Sequence, residues 1–144
     1  MGRDASSAVI GRHCSHTTRP ATMVVNAAWG LGELLVSGLV TPDDYRLARD
    51  GGRLLRMDPG DQDVMLVAGP DGVAEVPVPA DRRDARVLGD DLLAEVHDGL
   101  LRCERALGRP ADCEFSVVAG RVVWLQCRPM TALLSIHDTG ANPR

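Results

Sequence analysis

Between Asp90 and Leu107 the apolar residues Leu92, Leu93, Val96, Leu100, Cys103 and Leu107 recur at steps of three and four, the period of a helix with one buried stripe. Asp90 or Asp91 stands where an N-cap is expected, and Gly108 followed by Pro110 closes the run in the expected order. Gly99 is the weak point of this helix, costing about 1 kcal/mol against alanine. Elsewhere the apolar runs are short and end at glycine or proline, which predicts strands and turns. "MVVNAA" (23–28) reads as a buried strand, and "GELLVSG" (32–38) as a short helix stopped by Gly38 and Pro42. "DDYRLARDGGRLLRMD" reads as two strands joined at Gly51-Gly52, and "DVMLVAGPDGVAEVPVP" as a hairpin turned at Pro70-Asp71-Gly72. After the long helix come two β-rich runs, "CEFSVV" and "RVVWLQCRP", around Ala119-Gly120. The order of β, short α, several β, long α and β-hairpin predicts an α+β fold with an antiparallel sheet.

With 144 residues, 44% of them hydrophobic, the chain can build one domain with a modest core. Residues 1–22 hold one candidate strand, "SSAVIGR", followed by a polar loop; 23–134 are the expected domain and 135–144 a tail. No apolar run reaches the ~20 residues of a membrane span, and the N-terminus lacks an apolar signal region, so the expected location is the cytoplasm. The net charge is −4, with acids and bases mixed along the chain, which argues against a nucleic-acid-binding stripe. All 16 basic residues are arginine, so no lysine Schiff base and no lysine phosphate clamp can come from this chain.

The cysteines Cys14, Cys103, Cys113 and Cys127 form no CxxC pair, which excludes a zinc ribbon or a thioredoxin-type motif. Cys113 and Cys127 lie in β-like runs and read as apolar fillers. His13, Cys14 and His16 could hold a metal, but a second ligand pair at zinc-like spacing is absent, so they read as loop residues.

The last hairpin carries the chemistry. With a two-residue loop at Ala119-Gly120, Phe115 and Val117 would share a face with Trp124, Gln126 and Arg128, mixing core with charge. A three-residue loop with Gly120 in the left-handed region separates them. Phe115, Val117, Val123, Leu125 and Cys127 then line one side, and Glu114, Ser116, Trp124, Gln126 and Arg128 the other. The odd loop is the expectation adopted here. It brings together a carboxylate, an amide and a guanidinium. Carboxylate and amide oxygens suit Mg²⁺, and arginine can grip a phosphate through two hydrogen bonds. A solvated sheet face with an incidental Glu114–Arg128 pair fits the same pattern.

Upstream, "WGLGE" places Gly30, Gly32 and Glu33 between a strand and a short helix. The glycines allow either a close backbone approach to a ligand or a tight bend. A dinucleotide-binding turn fails, because Leu35 stands where the third glycine of that pattern belongs.

Together, "VVNAAWGLGELLVSGLVTPDDY" and "ERALGRPADCEFSVVAGRVVWLQCRPMTAL" resemble the ATP-binding domain of the phosphoenolpyruvate synthase and pyruvate phosphate dikinase family, which rifampicin phosphotransferase shares. The resemblance runs from about Val24 to Leu133. It implies the C-terminal subdomain of an ATP-grasp fold, with ATP and Mg²⁺ as cofactors. Residue by residue, it implies magnesium ligands at Glu114 and Gln126, a triphosphate-binding and catalytic arginine at Arg128, and a cleft-facing carboxylate at Glu33. The implied activity is that of an ATP-dependent phosphotransferase acting through a carrier histidine on pyruvate or a similar small acceptor. The family's N-terminal ATP-grasp subdomain and phosphohistidine domain have no counterpart in this sequence. They are the implied partners, and a catalytically inactive remnant serving as an interaction module is the alternative.

Overall fold

Strand β3 (Asp43–Ala48) alternates without a break: Asp43, Tyr45 and Leu47 are buried, while Asp44, Arg46 and Ala48 are partly exposed. That period of two sends every second residue to the core and its neighbours to the other face of a sheet. The computed structural model describes residues 9–13, 22–32 and 37–129, the first of these segments by its backbone alone. Most of the short helix expected at 32–38, including Glu33, lies outside the described residues.

Six strands form one antiparallel sheet in the order β4-β3-β2-β1-β7-β8. They are β1 (Val9–His13), β2 (Thr22–Trp29), β3, β4 (Leu54–Asp58), β7 (Ala111–Val118) and β8 (Arg121–Pro129). The strand read in "SSAVIGR" is therefore central, with β2 on one side and β7 on the other. A separate hairpin pairs β5 (Val64–Gly69) with β6 (Gly72–Pro77) through a turn at Pro70-Asp71. Helix α1 (Ala80–Arg83) is a single turn that the sequence pattern does not announce. Helix α2 (Asp90–Leu107) lays Leu93, Val96 and Leu100 on Met23, Val25, Tyr45, Leu47 and Phe115, one continuous core on one face of the sheet. The fold is α+β, as expected. Among the described residues, no helix is long and apolar enough to cross a membrane.

The ends of α2 correct one detail. Gly89 is the N-cap and contributes no side chain. Asp90 and Asp91 sit in the first turn, where their charge favours the positive end of the helix dipole. Gly108 closes the helix at φ 74°, the left-handed conformation expected of it. Gly99 has a packing reason: a Cβ there would lie 2.3 Å from Cζ2 of Trp124. Propensity alone predicts that Gly99→Ala stabilises α2 by about 1 kcal/mol. Overpacking against an indole that is itself wedged on Phe115, ring centroids 5.6 Å apart, costs about 1–3 kcal/mol. Gly99→Ala is therefore expected to destabilise the fold. A urea midpoint above wild type would show that the indole moves aside freely.

A buried polar network ties β3 to the loop before α2. The Asp43 carboxylate accepts from Tyr45 Oη (2.8 Å), Val87 N–H (2.9 Å) and Gly60 N–H (2.7 Å), while Tyr45 Oη accepts from Leu88 N–H (2.9 Å). The Tyr45 pKa is raised above its ordinary 10.0, by burial first and by the Asp43 carboxylate as well, against a lowering from Leu88 N–H. A raised phenol pKa means that the fold holds the neutral form. Its contribution to stability is complete below pH 10 and is lost as pH rises toward the folded value. Tyr45 is the chain's single tyrosine, so phenolate absorbance reads this site alone. On alkaline titration the absorbance is expected to appear together with loss of the circular dichroism signal. A simple titration centred near pH 10 in a chain that stays folded would contradict this account.

Candidate functional site

The register of the last hairpin decides which side chains meet. Val118 pairs with Arg121, so the loop is the two residues Ala119 and Gly120, at φ 52° and 77°. Positive φ at both loop positions matches the right-handed twist of the strands they join. The three-residue loop inferred from polarity is thus incorrect, and with it the faces assigned to Val123, Trp124 and Leu125. Phe115 pairs with Trp124 and Val117 with Val122, both on the core side. The register then shifts between Phe115 and Glu114, with Leu125 as the extra residue of a β-bulge. Beyond the bulge, Glu114 pairs with Gln126, Cys113 with Cys127 and Asp112 with Arg128. Polarity is separated within β8 instead of in the loop. The bulge leaves Trp124 against Phe115 and turns Gln126 and Arg128 to the open face.

Glu114 and Gln126 are direct cross-strand partners, a placement that sets Cβ atoms about 5 Å apart on one face. Arg128 follows two residues along the same face. Glu114 is half-buried, whereas Gln126 and Arg128 are exposed. No hydrogen bond or ion pair between these three side chains and another described side chain is seen among the described residues. Two oxygen-bearing groups with a guanidinium beside them suit a hard divalent cation and a phosphate.

This pair continues a polar row across the whole sheet. Glu114 pairs with Arg12 of β1, Arg12 with Asn26, Asn26 with Asp44 and Asp44 with Asp58. Asn26 Nδ2 donates to Asp44 Oδ2 at 3.1 Å. The directly opposed acids Asp44 and Asp58 would repel. Each is answered on its own strand, Asp44 by Arg46 at 2.7 Å and Asp58 by Arg56 at 3.0 Å. The hydrogen bond to Asp44 first, and the charges of Asp44 and Asp58 after it, raise the Arg46 pKa in return. Asn26 and Asp44 escaped the sequence reading because their place in the row depends on pairing between strands that only the register reveals.

At the other end of β2 the glycine turn is explained by protein contacts. Gly30 has φ 85°, and a Cβ there would lie 2.6 Å from Leu66 O and 2.8 Å from Met65 Cβ. Its close approach is to β5, which favours the tight bend over a ligand-approach role for this glycine. Gln62 pins the same corner. It accepts from Trp29 N–H at 2.9 Å and donates to Trp29 O at 2.8 Å and Val64 O at 3.1 Å. Glu33, Cys14 and His16 lie outside the described residues.

Residues 3–141 match the family model for the pyruvate phosphate dikinase AMP/ATP-binding domain. The chain belongs to that family. It is 35% identical over 121 residues to a probable phosphoenolpyruvate synthase of Methanothermobacter thermautotrophicus, covering 81% of this chain and 18% of that protein. It is 36% identical over 117 residues to the rifampicin phosphotransferase of Streptomyces sviceus, covering 80% and 13%. The phosphoenolpyruvate synthase of Pyrococcus furiosus is 31% identical over 132 residues, covering 81% and 16%. The chain thus spans less than a fifth of the length of these relatives. As a member of the family it has an AMP/ATP-binding domain of the kind found in phosphotransferases, and the matched span includes β1, outside the motifs that carry the resemblance.

Proposed function

We propose that this chain is one wall of an Mg·ATP site, the C-terminal subdomain of an ATP-grasp-type phosphotransferase. The observation that carries this reading is the Glu114–Gln126 cross-strand pair with Arg128 beside it on the open face, in a chain of an AMP/ATP-binding family. Glu114 and Gln126 would hold Mg²⁺, and Arg128 would take phosphate oxygens through its two terminal nitrogens. When bound, Mg²⁺ would offset negative charge on the phosphates. Arg128 orients the terminal phosphate and adds positive charge where charge shifts during transfer. Glu33 would project into the same cleft from the glycine turn.

The long helix packs on the other face of the sheet, and the opposite wall of the nucleotide site would come from a further subdomain. Val123 and Leu125, 42% and 55% exposed beside the polar row, supply an apolar strip for that subdomain to cover. The phosphoryl group would pass to a carrier histidine and then to a small acceptor such as pyruvate, both on parts of a larger assembly. Titration calorimetry tests this reading. Alone, the chain is expected to bind Mg·ATP no more tightly than about millimolar, because half of the donors are missing. Adding the N-terminal subdomain of the Streptomyces relative is expected to tighten binding at least tenfold. Equal, negligible heats in both arms would refute it.

A further inference from the structure

Three thiols meet on the covered face of the sheet, on the side opposite Glu114. Cys113 and Cys127 are cross-strand partners on β7 and β8, and Cys103 reaches them from α2. Their sulfur atoms all lie within 4.8 Å of one another, and the Cys127 and Cys103 sulfurs are 2.9 Å apart. Cys113 is fully buried, while Cys103 and Cys127 are half-buried.

We propose that Cys103, Cys113 and Cys127 form a Zn²⁺ site with three protein ligands and a fourth position open to water. Zinc binds thiolates at about 2.3 Å in a tetrahedron, which sets its sulfurs about 3.8 Å apart. Sulfurs within 4.8 Å of one another reach that spacing by small side-chain rotations, and the 2.9 Å pair needs to open by only about 0.9 Å. No fourth His, Cys, Asp or Glu joins the cluster among the described residues. The half-exposed sides of Cys103 and Cys127 give water access to the remaining position.

Packing alone does not call for three sulfurs here, since one thiol fills the volume of a small apolar side chain without needing two others beside it. A cation changes the balance between them. Burial first, and the neighbouring Cys127 thiol next, push the Cys103 thiol up to about 11 and Cys113 higher still. Zn²⁺ held by three thiolates makes a centre of net charge −1, with Arg102 as a nearby positive charge. The bound ion would tie α2 to both strands of the hairpin. This proposal does not depend on the nucleotide reading, because its ligands occupy the other face.

The test uses the full chain carrying Cys14→Ser, reduced, stripped with a chelator and titrated anaerobically with Co²⁺ and then Zn²⁺. One Co²⁺ per chain is expected to give thiolate-to-cobalt charge transfer and the strong visible bands of tetrahedral cobalt, both abolished by one equivalent of Zn²⁺. Cys103→Ser and Cys127→Ser are each expected to weaken Co²⁺ binding by roughly tenfold or more while circular dichroism stays unchanged. These half-buried positions keep the test sound if Cys113→Ser fails to fold. Absence of the charge-transfer band, or a band that survives both substitutions, would overturn the proposal. A Cys103–Cys127 disulfide that persists in a chain purified with excess Zn²⁺ would overturn it as well.

Discussion

Asp43→Ala is expected to lower the unfolding free energy by about 3 kcal/mol or more. The cause is what the substitution leaves behind. Asp43 is 7% exposed and receives three donors: Tyr45 Oη, Val87 N–H and Gly60 N–H. Without the carboxylate, these groups lose their acceptor at positions with little access to water, at about 1–3 kcal/mol for each buried group left unpaired. Asp43→Asn is expected to cost less. An amide oxygen facing Tyr45 and Val87 keeps both of those bonds, but its NH₂ then opposes Gly60 N–H. Gly60 has no room to retreat, since even a Cβ there would lie 2.1 Å from Thr41 O. Urea unfolding of both variants reads the order directly, and the melting temperature of the alanine form should fall by roughly 10 °C. A loss below about 1 kcal/mol for alanine would mean that water replaces the carboxylate, and the network would not then hold the β3 corner.

The same pair of residues shows where the sequence could be read and where it could not. Asp43 and Asp44 are adjacent, identical and polar, yet one is a core acceptor and the other belongs to the open face. Composition cannot separate them; the phase of β3, set by Tyr45 and Leu47 pointing inward, does. The long helix was legible because its stripe repeats over five turns, and only its cap was misplaced, by one residue. The glycine inside it read as a defect because the indole that requires it is 25 residues away in sequence. In the final hairpin, polarity demanded one shift of phase, and a three-residue loop or a bulge could each provide it. The choice depends on Trp124 needing Phe115 and Gly99 as neighbours, a contact that no local pattern encodes. The thiol cluster was illegible for the same reason, with its members on three elements and no common spacing.

The second large effect concerns the open face, and it separates the roles proposed for its residues. In the assembly of this chain with an N-terminal subdomain, Arg128→Ala is expected to weaken ATP binding by roughly 10- to 100-fold, the worth of charge-assisted hydrogen bonds at about 1.5–3 kcal/mol. The loss should persist at saturating Mg²⁺, because the guanidinium acts on phosphate itself. Arg128→Lys should recover only part of it, since an ammonium keeps the charge but lacks the planar fork. Glu114→Gln removes a negative ligand and leaves the phosphate contact intact, so its deficit should shrink as Mg²⁺ is raised. Gln126→Glu adds an anionic ligand opposite Glu114 and should shift half-saturation toward lower Mg²⁺, although the free chain then carries two opposed carboxylates. Titrations of ATP at several fixed Mg²⁺ concentrations distinguish these outcomes. If all four variants lost affinity equally at every Mg²⁺ level, the row would be a structural face of the sheet. A deficit at Glu114 that Mg²⁺ repairs, beside one at Arg128 that it does not, requires a cation at the Glu114–Gln126 pair and a phosphate at Arg128.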